Sequence, residues 1–136
     1  MRRRSDSKLD LLAKVPLFSG LSKRHLDRVA RIADEVDLRE GKELIGEGSF
    51  GREFYVLLDG NAEVRRKGRK VNTLGPGDFF GEIALLSDRL TTATVTTTEP
   101  ARALVITRAS FKSLLRDEPA VQLKVLQALA DRVPVD

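Results

Sequence analysis

Gly81 and Glu82 open the stretch "GEIALLSDRLTTATV", residues 81–95, whose residue types and spacing suggest chemistry. A Gly-Glu pair leads into an apolar run, a polar loop and a Thr-rich strand. Such a segment can hold a small anion between backbone amides and one positive side chain. "IALL" is expected to form a single helical turn, with the amides around Ile83 and Ala84 facing the anion. Gly81 lacks side-chain bulk, so a ligand could approach the backbone closely. Glu82 can accept hydrogen bonds from a vicinal hydroxyl such as a ribose 2′-OH. Thr91, Thr92 and Ala93 are expected to line the return strand, yet Thr91 occupies the place where a positive side chain belongs. The same residues also allow an ordinary loop, with Glu82 bonded to backbone or paired with Arg89.

Catalytic readings find no support in the residue types. The chain has one histidine and no cysteine, which excludes thiol chemistry, disulfides and thiolate metal sites. No Ser-His-Asp set, His/carboxylate metal cluster or P-loop lysine can be assembled, so no catalytic residue and no metal is expected. "GEGSFGREFYVL" has the glycines of a kinase phosphate loop, but the chain is too short for that fold and carries no HRD or DFG segment. His25 is expected to face solvent in the first turn of a helix.

The elements that must position residues 81–95 are legible from periodicity. Leu9, Leu12 and Ala13 fall at helical spacing before Pro16. Ser22 is a plausible N-cap for a helix whose apolar face is Leu26, Val29, Ala30 and Ala33. From about residue 36, glycines punctuate short β-prone pieces, "ELI", "EFYVLL", "AEVRR" and "KVNTL", the pattern of antiparallel strands in a sandwich or barrel. "RRKGRK" is expected to be a hairpin turning at Lys67-Gly68, its basic side chains in water. Thr107 or Ser110 can cap a helix with Phe111, Leu114 and Leu115 on one face. Pro119 begins another, striped by Val121, Val125, Leu126 and Leu129. That stripe is expected to cover the sandwich, to pair with a second subunit or to meet an effector.

With 136 residues, 41% hydrophobic and 32% charged, the totals describe one globular domain. The net charge of +4 is concentrated in Arg2, Arg3, Arg4, Lys8 and Lys14 against Asp6 and Asp10. The body is therefore near neutral, which argues against direct nucleic-acid recognition by the fold. Neither a secretory signal nor an apolar run long enough to span a membrane is present, so a cytoplasmic location is expected.

The glycine spacing and the segments "VPLFSGLSKRHLDRVA", "GKELIGEGSFGREFYVLLDGNAEVRR", "LGPGDFFGEIALL" and "TATV" together resemble the cyclic nucleotide-binding domain. That module is shared by catabolite-activator-type regulators, protein kinase A regulatory subunits and cyclic nucleotide-gated channels. The resemblance implies an α+β fold: an antiparallel jelly-roll β-sandwich flanked by N-terminal and C-terminal helices. Residues 1–15 are then a basic arm and short helix, and residues 16–136 the domain, ending in a lid helix without a DNA-binding domain. A phosphate-binding cassette at 80–95 would take cAMP or cGMP. Gly81 would admit the ribose-phosphate and Glu82 would bind the ribose 2′-hydroxyl. Amides at Ile83, Ala84, Thr92 and Ala93 would face the phosphate, with Val71 and Leu74 against the base.

The family's cassette arginine, in the pattern P-R-[TSA]-A-T-V, falls on Thr91, and the preceding proline on Leu90. Arg89 lies on the same face of an extended segment but roughly 7 Å further along. Loss of a buried charged partner of a phosphate costs about 2–5 kcal/mol. Three functions are therefore carried forward: a cyclic-nucleotide sensor with a weakened site, a ligand-independent interaction or dimerisation module, and a site retuned to another small ligand.

Overall fold

The computed structural model describes residues 8–132. Arg2, Arg3 and Arg4 of the basic arm lie outside the described residues. A helix α1 (Lys8–Lys14) and a 3-10 turn (Pro16–Phe18) precede helix α2 (Lys23–Ile32). Ser22 caps α2, its hydroxyl accepting from His25 N–H. At the other end, Lys8 Nζ donates to the carbonyls of Ala30 and Ala33 at 3.0 and 2.6 Å. A cation there satisfies carbonyls that the helix leaves without partners.

Eight strands follow: β1 (Asp34–Leu38), β2 (Glu43–Ile45), β3 (Glu53–Asp59), β4 (Ala62–Arg66), β5 (Arg69–Leu74), β6 (Phe79–Phe80), β7 (Thr94–Thr97) and β8 (Ala101–Thr107). They form two four-stranded sheets, β1-β8-β3-β6 and β2-β7-β4-β5, antiparallel throughout. A short helix α3 (Glu82–Ser87) interrupts the strands, and α4 (Arg108–Asp117) and α5 (Pro119–Arg132) close the chain. This is the expected helix-flanked sandwich. Thr107 is the cap of α4, its hydroxyl accepting from Ser110 N–H at 3.2 Å.

Two cores flank the central sheet. Tyr55 and Leu57 point between the sheets with Phe80, Val95, Ala103 and Val105. Phe54 and Val56, one residue out of phase, point the other way against helical Val29, Phe111, Leu114 and Val121. Phe54 stacks on Phe111 with ring centroids 4.5 Å apart. β3 is thus buried on both faces, which is why "EFYVLL" shows no polar alternation.

The apolar stripe of α5 is divided rather than free. Val121 and Val125 are buried in the helix-side core and Leu129 packs against it, whereas Leu126 is exposed together with Leu123. The helix lies against α4 and the Pro16–Phe18 turn.

His25 does not simply face solvent. It is half-buried, and its Nε2 lies 3.3 Å from Oε2 of buried Glu118, at the α4–α5 junction. Arg24 and Arg28 approach Oε1 of the same carboxylate at 3.6 and 3.8 Å. Glu118→Gln removes this charge and is expected to cost about 1–2 kcal/mol, since the arginines keep partial access to water. Thermal unfolding followed by circular dichroism should show a lower midpoint, and an unchanged midpoint would mean that the cluster contributes nothing.

Candidate ligand-binding site

A cavity of about 540 Å³ opens between the β4–β5 hairpin, the β6–α3 junction and the segment that follows α3. Small-molecule sites span roughly 300–1,000 Å³, so the space suits a nucleotide-sized ligand. Gly81, Glu82, Ile83, Ala84, Thr91, Thr92, Ala93 and Leu74 all lie on its wall. α5 contributes no residue to it, so the helix expected as a lid is packed elsewhere.

Glu82 heads α3 and is 1% exposed, an unusual depth for a carboxylate. Gly81 beside it adopts φ +95°, and a Cβ there would sit 2.6 Å from the Glu53 carbonyl oxygen of β3. The glycine is therefore demanded by the strand behind it, not by close approach of a ligand in front. Its partner in tight packing is Gly51, where a Cβ would meet Ala84 Cβ at 2.6 Å. Two small residues thus let the 46–51 loop and α3 lie in contact.

Two predicted residues are not on the wall. Arg89 is exposed and does not line the cavity. Val71 is 52% exposed. It lies three positions from Leu74 and therefore faces the other side of β5. The β4–β5 register also shifts there, pairing Val64 with Asn72 and Arg65 with Lys70, so that Val71 is passed over. The apolar wall beside Leu74 is supplied instead by Val64, Ile45 and Val95.

Thr91 is tied to the 46–51 loop. Its hydroxyl donates to Gly46 O at 2.6 Å and accepts from Ser49 N–H at 2.9 Å. Backbone bonds from Gly48 N to Thr91 O (2.8 Å) and from Thr91 N to Ser49 O (2.9 Å) flank that contact. The hydroxyl is thus engaged behind the wall as well as touching the cavity.

Two groups escaped the sequence reading. Arg66 was expected to point to water, but it lines the cavity, with Nε donating to Thr92 O at 3.2 Å. Strand alternation from Ala62 and Val64 would have found it. Arg108, at the start of α4, donates to Gly51 O at 2.9 Å, pairs with Asp88 just beyond α3, and lies 4.5 Å from the Phe50 ring centroid. Lys112 reaches the same Asp88 carboxylate at 3.1 Å. Its hydrogen bond and charge, with Arg108 adding to both, hold the Asp88 carboxyl below the usual carboxylate range. The end of α3 is thereby bolted to α4.

Residues 35–118 match the family model described as "Cyclic nucleotide-binding domain". The chain is 35% identical over 106 residues to the cAMP-dependent protein kinase regulatory subunit of Schizosaccharomyces pombe, covering 77% of this chain and 26% of that protein. Among solved structures, the catabolite activator protein of Thermus thermophilus superposes with a TM-score of 0.77 at 29% identity, over 86% of this chain and 57% of that one. The regulatory subunit of a cAMP-independent protein kinase A from Trypanosoma cruzi, bound to guanosine, gives a TM-score of 0.77 at 26% identity, over 85% and 42% of the two chains. The chain thus spans about a quarter of the length of the kinase subunit from S. pombe and little more than half of the activator. With the family match running from β1 to the end of α4 and enclosing the cavity and its buried glutamate, the chain belongs to the cyclic nucleotide-binding domain family.

Proposed function

We propose that the chain is a non-catalytic sensing module that takes cAMP or cGMP into the cavity beneath α3. The observation that carries this reading is the convergence of residues 81–84 and 91–93 on one nucleotide-sized space, with the Glu82 carboxylate buried at its edge. Glu82 would accept from the ribose 2′-hydroxyl, Leu74 and Val64 would face the base, and the backbone near Ile83 and Ala93 would face the phosphate. Occupancy would be relayed through Asp88 to Arg108 and Lys112 on α4, which join α3 to the C-terminal helices. Any effector contact through α5 falls on its exposed Leu123 and Leu126.

Calorimetric titration with cAMP and then cGMP tests this reading. Glu82→Gln should weaken binding by roughly 10- to 100-fold, because a hydrogen bond to a charged group contributes about 1.5–3 kcal/mol. No heat from either nucleotide with the wild-type protein would overturn the proposal.

A second reading has its own support. With Thr91 uncharged and its hydroxyl engaged, the cavity would also suit an uncharged nucleoside, and the related T. cruzi subunit is bound to guanosine. Titration with adenosine and guanosine separates the two: tighter binding of the nucleosides than of the cyclic nucleotides would favour it.

A further inference from the structure

We infer that Arg66, on the β4–β5 hairpin, supplies the positive charge that recognises the ligand's phosphate. The inference rests on the cyclic-nucleotide reading above and adds to it a residue outside the cassette. Around the cavity, Asp78 and Glu82 are acidic, and Arg66 is the one basic side chain among the described residues. An anionic ligand placed beside two carboxylates meets repulsion unless a cation faces it. Asp78 is already engaged in its own turn, accepting from Gly75 N–H at 2.8 Å.

The hairpin places that cation with little freedom of backbone. Arg66 ends β4 on the same face as Ala62 and Val64, which point inward. Lys67 beyond it takes φ 52°, and its N–H donates to Glu47 Oε1 at 2.9 Å. Glu47 N–H in turn donates to Thr94 Oγ1 at 3.0 Å, fastening the hairpin tip to the strand that leaves the cassette. From this anchored position Arg66 Nε reaches Thr92 O, leaving the two terminal nitrogens without an ion-pair partner among the described residues. A guanidinium presents those donors as a planar fork that matches two phosphate oxygens. Its hairpin neighbour Arg65 is turned instead to Glu63 and the Gly68 carbonyl.

Phosphate recognition would thus cross the cavity, from position 91 to the opposite hairpin. The test is a set of calorimetric titrations with cAMP and with adenosine, which shares the base and ribose but carries no charge. Arg66→Gln should weaken cAMP binding by about tenfold, the lower range for a charged hydrogen bond at an exposed side chain, and leave adenosine unchanged. Arg66→Lys, which keeps the charge but not the fork, should fall between. Arg69→Gln removes the same charge from the same hairpin at a residue off the cavity wall and should bind cAMP like wild type.

Circular dichroism of each variant checks that the fold is retained. Equal cAMP affinity in wild type and Arg66→Gln would overturn the inference and leave the cyclic-nucleotide reading standing. Equal losses in Arg66→Gln and Arg69→Gln would also overturn it, in favour of a diffuse field. Wild-type protein that binds adenosine as tightly as cAMP would overturn it too. Wild-type protein that binds no cyclic nucleotide would remove both.

Discussion

Gly81→Ala is expected to lower stability by roughly 2–4 kcal/mol, through the strand behind the cassette rather than through any ligand. An L-residue held in left-handed backbone costs about 1–2 kcal/mol, and forced overpacking adds about 1–3 kcal/mol. Both apply at this position, where φ is +95° and a Cβ would lie 2.6 Å from Glu53 O and 3.6 Å from Ile45 Cδ1. The carbonyl cannot easily retreat. β3 is held between β8 and β6, with Glu53 opposite Thr107. The Tyr55 hydroxyl adds a further tie, donating to Glu53 Oε1 at 2.9 Å and Leu44 O at 3.1 Å. For a domain of this size the unfolding midpoint should drop by about 10 °C. A circular-dichroism melt of the ligand-free variant measures it. A midpoint within about a degree of wild type would show that the junction can adopt another turn, and a loss confined to ligand binding would return the glycine to the role its position first suggested.

Gly81 also shows how far the sequence can be read. Its type and neighbours announced a special backbone position, but the reason lies in β3, 28 residues earlier, where no local pattern points. The same holds for Thr91, whose partners Gly46 and Ser49 are 45 and 42 residues away. His25 behaves likewise, since Glu118 comes near only when α4 and α5 are in place. By contrast, the strands themselves were legible because glycines and β-branched runs act locally.

Misplaced residues fall into two kinds. Val71 and Arg66 could have been placed by strand alternation, which sets Leu74 apart from Val71 and Arg66 alongside Val64. The division of the α5 stripe could not, because periodicity identifies an apolar face without saying what covers it. β3 illustrates the complementary limit. Buried on both faces, it offers no alternation from which the two cores could be told apart.

Thr91→Arg is expected to change stability and affinity in opposite directions. The hydroxyl's bonds to Gly46 O and Ser49 N–H are lost, while the backbone bonds of residue 91 to Gly48 and Ser49 remain. With those loop groups able to find water, the loss should be about 1–2 kcal/mol. A charge beside the phosphate should return about 2–5 kcal/mol of binding free energy, or roughly thirty- to several-thousand-fold in affinity for cAMP. The ligand-free midpoint should therefore fall by a few degrees. Added ligand should raise it by more than it raises wild type, because ligand stabilisation grows with the ratio of concentration to Kd. Thermal melts with and without cAMP, together with calorimetry, read both changes. The combination with Arg66→Gln is decisive. If the two guanidinium positions serve one phosphate, Thr91→Arg should gain more affinity without Arg66 than with it, since contacts to a shared partner are not additive. Equal gains in both backgrounds would mean that Arg66 acts on no part of the ligand that position 91 can reach. No gain in either would mean that the ligand brings no phosphate to this wall, and the uncharged-nucleoside reading would then account better for a threonine where the family places its arginine.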